Sequence, residues 1–103
     1  MNVTALEALL AAGQDNALLR FSLGNLYWQQ GDMSRALLHL AAALRHQPDY
    51  SAAWKIYAQA LAASGDLGAA RLAYQQGITV AASKGDKQAE KEMTVFLRRL
   101  GSG

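Results

Sequence analysis

Cysteine is missing from these 103 residues, and proline occurs once, at Pro48. Without a thiol there is no disulfide framework, no Cys-ligated zinc and no iron–sulfur cluster. A dominant charge sign is missing too: 10 Lys and Arg against 8 Asp and Glu leave a net charge of +2. The basic residues stay scattered until Lys84, Lys87, Lys91, Arg98 and Arg99, and there Asp86, Glu90 and Glu92 interleave with them. A phosphate-binding surface needs a denser, less compensated patch, so nucleic acid is disfavoured as a partner. Long apolar runs are absent as well. The stretch from Ala5 to Ala12 is interrupted by Glu7 and lacks a basic leader, which fits neither a signal peptide nor a membrane span. A soluble, cytoplasmic protein that does not engage membranes is expected.

Catalytic signatures are equally sparse. There is no Gly-rich phosphate loop and no nucleophile elbow. The two histidines, His39 and His46, stand seven apart on one expected helix, with no Cys or carboxylate at ligand spacing beside them. His46 near a helix C-terminus is accounted for by the helix dipole. No enzyme activity, catalytic residue, metal or cofactor is expected.

What is present is a repeat. Gly31-Asp32 recurs 34 residues later as Gly65-Asp66, and the same offset maps Leu23 onto Tyr57, Gly24 onto Ala58, Tyr27 onto Leu61, Ala36 onto Ala70, Leu40 onto Tyr74 and Ala43 onto Gly77. Half of the residues are hydrophobic, enough for a packed core. Helices are expected from a Thr4–Glu7 capping box to about Gly13, from Ala17 to Gln30, and from after Gly31-Asp32 to His46. Pro48-Asp49 breaks the chain, and Asp49 or Ser51 opens a helix to Ser64. Further helices follow Gly65-Asp66 and Gly85-Asp86, the last one reaching Leu100. It places Ala89, Met93, Phe96, Leu97 and Leu100 on one face. The residues at 24, 36, 43, 58, 70 and 77 are all Gly or Ala, small enough for neighbouring helices to approach closely.

The pattern of Leu23-Gly24, Tyr27, Ala36, Leu40, Ala43 and Pro48, answered by Trp54, Tyr57-Ala58, Leu61, Ala70, Tyr74 and Gly77, resembles the tetratricopeptide repeat (TPR). Arg20 stands where the first unit should carry Trp, and Ala82 where the second should carry Pro. The resemblance implies an all-α fold: a right-handed superhelical stack of antiparallel helix pairs, an α-solenoid of about six helices. Residues 1–16 would cap the front, 17–50 and 51–84 form the two repeats, 85–100 cap the rear, and 101–103 form a flexible tail.

The resemblance also implies a concave groove lined by the first helix of each unit, which binds a peptide segment of a partner protein. Phe21, Asn25 and Trp28 would face it from the first unit, and Lys55 and Gln59 from the second. The last helix fits the pattern only if its unit starts two residues late, near Lys87, which brings in Lys91 and Arg98. The expected ligand carries an apolar anchor for the aromatic end and a carboxylate for the basic end. Trp54 is expected in the core. A version of this groove that grips the C-terminal carboxylate of cytosolic heat-shock chaperones would match only at Asn25, with Phe21, Ile56, Gln88 and Glu92 all departing. That activity is disfavoured. Alternatives are a self-associating subunit, including a homodimer, or a polyanion-binding protein acting through the basic last helix.

Overall fold

The computed structural model describes residues 2–101, and among these it contains six helices and no strand: α1 (Val3–Ala11), α2 (Ala17–Gln29), α3 (Met33–His46), α4 (Ser51–Ala63), α5 (Leu67–Lys84) and α6 (Lys87–Gly101). Of the expected tail, Gly101 closes α6, while Ser102 and Gly103 lie outside the described residues.

Short polar side chains start these helices. Asn2, Asn16, Asp32, Asp66 and Asp86 each accept a hydrogen bond from the backbone N–H three residues on, at 2.8–3.2 Å, satisfying a donor that has no intrahelical partner. The Thr4–Glu7 box does not form. Asn2 caps α1 instead, Thr4 lies inside the helix, and Glu7 is directed to α2 and α3. Nor do Asp49 or Ser51 cap α4; Tyr50 holds the cap position without a side-chain bond, and the Ser51 hydroxyl donates to Asp86 at 3.0 Å.

The repeated Gly-Asp turn has a specific geometry. Gly31 (φ 81°) and Gly65 (φ 90°) sit in the left-handed region, which a side chain disfavours. In each turn the Asp N–H then bonds the carbonyl five residues back, Tyr27 or Leu61, closing the helix end.

Neighbouring helices pack antiparallel, in sequence order from α1 to α6. The two rows differ in spacing: α2 touches α4 and α4 touches α6, whereas α1, α3 and α5 do not approach one another within 8 Å between Cα atoms. The stack therefore bends with α2, α4 and α6 on its inner side, over extents of 43 × 29 × 20 Å. Helix starts on the inner side fall at 17, 51 and 87, so the third unit does begin two residues late.

The core has two parts. One gathers Leu6, Leu19, Leu23, Tyr27, Leu40 and Leu44 between α1, α2 and α3; the other gathers Ala73, Tyr74, Ala81, Ala89 and Met93 between α5 and α6. Trp54 and Tyr57 of α4 pack against both. Leu23, Leu40 and Met93 are sealed from solvent, each burial contributing about 1.5–3 kcal/mol. The small residues act as expected: Ala36, Ala43, Ala58 and Ala70 are fully buried. A Cβ at Gly24 would stand 2.5 Å from Leu40 Cγ, and one at Gly77 would stand 2.5 Å from Met93 Sδ and 2.8 Å from Trp54 Cβ. Glycine is what lets these helices touch.

Candidate functional site

The inner row carries the residues singled out from sequence. On α2, Phe21 is half-buried and its ring lies 4.9 Å from that of Tyr50, tilted by 33°. Trp28, two turns on, is half-buried against the first core cluster. Asn25 lies between them, and Gln59 occupies the same position one unit later; both are half-buried, and neither side chain is hydrogen-bonded to another described residue.

Lys55 is already engaged. Its Nζ donates to Glu92 Oε1 at 3.1 Å, joining α4 to α6. The ammonium holds the Glu92 carboxyl below its ordinary range, through that hydrogen bond first. Lys91 and Arg98 share one exposed face of α6 on either side of Val95, and neither pairs with a carboxylate among the described residues. No hydrogen bond, ion pair or ring contact joins these seven residues to one another; what unites them is the row they stand on.

The outer row leaves two gaps. The one beside α4 is an open apolar cleft of about 370 Å³ along α4 and α5, with Trp54, Tyr57 and Leu61 on its floor and Leu72 and Ala73 on one wall. Trp54 is therefore only partly in the core. Its indole N–H donates to the Pro48 carbonyl at 2.8 Å, and its ring meets Tyr57 edge-on.

The other gap, between α1 and α3, is crossed by polar side chains that sequence reading did not connect. Glu7 Oε1 accepts from the Tyr27 hydroxyl at 3.3 Å and lies 3.2 Å from His39 Nε2. Arg20 grips Asp15 with two hydrogen bonds of 2.8 and 2.9 Å, and its Nη1 stands 3.1 Å from His39 Nδ1. His46 Nε2 meets Asp15 at 3.0 Å. A guanidinium can only donate, so His39 Nδ1 is the acceptor and the imidazole proton belongs on Nε2, facing Glu7. His39 is 5% exposed and stacks on Tyr27 at 5.5 Å. Burial pushes its imidazole below the ordinary range, with Arg20 adding to that and Glu7 opposing it. Arg20 holds the Asp15 carboxyl down to about 2. The one signal in the sequence was Arg20 itself, a cation where the repeat pattern expects an indole.

Among the described residues, no group of three or more His, Cys, Asp or Glu side chains is placed to hold a metal ion. No helix among them is long and apolar enough to cross a membrane.

A family model described as tetratricopeptide repeat matches residues 3–43 and 23–86, which together span the units just described. The chain belongs to the tetratricopeptide repeat family. The TPR repeat-containing protein PA0015 of Pseudomonas aeruginosa is 55% identical over 100 residues, covering 97% of this chain and 95% of that protein. The solution structure of protein BPP2914 from Bordetella parapertussis is similar with a TM-score of 0.87 at 47% identity, over 99% of this chain and 89% of that one. TPR repeats generally mediate protein–protein interaction and are generally non-enzymatic. For this TPR protein, that directs attention to its faces rather than to any reactive group.

Proposed function

We propose that this protein is a non-enzymatic interaction module that holds a peptide segment of a partner protein along its inner face. The observation that carries the reading is the pair Asn25 and Gln59. They occupy equivalent positions in successive units, both half-buried, and both keep their amide donors and acceptors free of bonds to the other described residues. Side-chain amides spaced along a helix row can bond the backbone of an extended chain whatever its sequence. Phe21 and Trp28 supply the apolar anchor at one end. At the other end Lys91 and Arg98 meet a carboxylate, since Lys55 is committed to Glu92. The units run as residues 17–50 and 51–84, with 1–16 and 85–100 as the flanking caps.

The test is amide chemical-shift mapping of the labelled protein against peptides it retains from a lysate. Shifts are expected at Phe21, Asn25, Trp28 and Gln59, and Asn25→Ala with Gln59→Ala should weaken binding at least about tenfold, the loss of roughly one hydrogen bond each. Shifts confined to α3 and α5 reject the reading. A second reading, self-association, draws on one feature. Leu18 is 66% exposed and Leu9 40% exposed beside a shallow hollow on α1 and α2, an apolar end that no described unit covers. Concentration-dependent sedimentation without ligand distinguishes the two.

A further inference from the structure

Two hollows meet on the outer side of α4. The cleft along α4 and α5 ends beside Leu61 and Ala69. A second hollow of about 250 Å³, lined by Ala41, Leu44 and Arg45 of α3, opens from the same two rings, Trp54 and Tyr57. Together they make one trough with an aromatic floor, α3 on one side and α5 on the other. On its rim Leu72 is 68% exposed, the most open of the large apolar side chains described. The trough is apolar in the middle and charged at its ends. At the Trp54 end stands Arg45, exposed and without a carboxylate partner among the described residues. At the Leu61 end stands Asp66, whose N–H donates to the Leu61 carbonyl at 3.0 Å and whose Oδ1 accepts from the Ala69 N–H at 3.2 Å. Its counterpart in the first unit, Asp32, accepts from Arg35 with its other oxygen at 3.1 Å. In the second unit Ala69 takes the place of Arg35, and Asp66 Oδ2 bonds no other described residue.

We propose that this trough is a self-recognition surface, covered by the same trough of a second copy of the chain in a two-fold dimer. A patch that meets itself has to carry both a projection and a hollow, and both signs of charge. This one carries all four. A two-fold axis crossing the trough midway between its ends exchanges them. It sets Arg45 of each copy against Asp66 of the other, and Leu72 of each toward the other's Trp54. Water then leaves the apolar floor, which supplies the affinity, while the charge pairs at the rim fix register and direction. Opposite charges at opposite ends favour a second copy over an unrelated peptide, because the reversed trough matches both ends at once. The inner side of α2, α4 and α6 stays open in such a dimer, so the proposal stands independently of the peptide reading. It also differs from association through the α1–α2 end, which uses Leu9 and Leu18.

The experiment is sedimentation equilibrium of the full chain without ligand, from micromolar to millimolar concentration, with amide spectra recorded over the same range. A monomer–dimer equilibrium is expected, with concentration-dependent shifts at Ala41, Trp54, Leu61 and Leu72 and none at Asn25 or Gln59. Leu72→Glu, at an exposed position that the fold does not need, should raise the dissociation constant at least about tenfold. Arg45→Ala and Asp66→Asn should each weaken the dimer several-fold, and together little more than either alone, since both break one contact. Asparagine still caps α5, so that variant removes the charge and keeps the helix start. Leu18→Glu should leave the dimer intact. A chain that stays monomeric at millimolar concentration overturns the proposal, as does a dimer that survives Leu72→Glu or that Leu18→Glu dissolves instead. A lysate peptide that shifts Trp54 and Leu72 in a chain that stays monomeric would assign the trough to another protein, with the same consequence.

Discussion

The two gaps of the outer row occupy equivalent places in the repeat, yet they are filled by opposite chemistry. Where the gap beside α2 has Arg20, Tyr27, His39 and Glu7, the gap beside α4 has Trp54, Leu61, Ala73 and Ala41 at the corresponding positions, 34 residues on. The first is bridged by hydrogen bonds from α1 to α3 and around Asp15. The second is an apolar cleft left open to solvent. The backbone geometry is set by the small residues and the Gly-Asp turns, which both units share. The gap itself is under no such constraint. Its contents divide the molecule into a front joined by directional polar contacts, each with a net contribution near 1 kcal/mol, and a middle joined by the burial of two aromatic rings.

The comparison can be broken most forcefully at Trp54. Because its ring packs against both core clusters, Trp54→Ala should cost about 2–4 kcal/mol, read as a lower urea midpoint. A loss no larger than that of a polar variant would mean that the aromatic floor is ornamental. Arg20→Leu comes next, at roughly 1–2 kcal/mol, because His39 Nδ1 is left buried without a donor. The same variant should let the Asp15 carboxyl climb from about 2 toward its ordinary value, measurable by NMR titration. In the parent protein the Asp15–Arg20 link is complete above the ordinary aspartate range and is lost only as pH falls through about 2, so the variant should lack that acid-side dependence. Lys55→Ala should be the mildest, below about 1 kcal/mol, since the Lys55–Glu92 pair is 27% and 39% exposed. Its visible mark would be Glu92 titrating at higher pH than before. A cost comparable with that of Arg20→Leu would show that the inner row also depends on charge.

Much of the architecture was legible in the sequence because it is periodic. The turns at Gly31 and Gly65, the close approaches at Gly24 and Gly77 and the late start of α6 all follow from aligning one unit on the next. The Asn2 cap was not legible, because Thr4 with Glu7 satisfies the same local rule, and only the tertiary pull on Glu7 decides between them. Nor was the polar bridge. Glu7 and His39 are 32 apart, Asp15 and His46 31 apart, and neither spacing is the repeat period. Such contacts come from how neighbouring units lean on each other, which no single-unit pattern encodes. Of the inner-row residues, sequence alignment could place Lys55 on a face but not reveal its partner, since Glu92 belongs to the helix whose register is displaced.

At the Gly77 seam, the atom nearest the glycine is a sulfur rather than a branched carbon. Met93 is sealed from solvent, and its thioether fills the space that the missing side chain leaves. Oxidants can reach that sulfur only when α6 lifts from α5, and the resulting sulfoxide, polar and bulkier, could not return to its place. Oxidation of Met93 would therefore depend on how often α6 separates from α5.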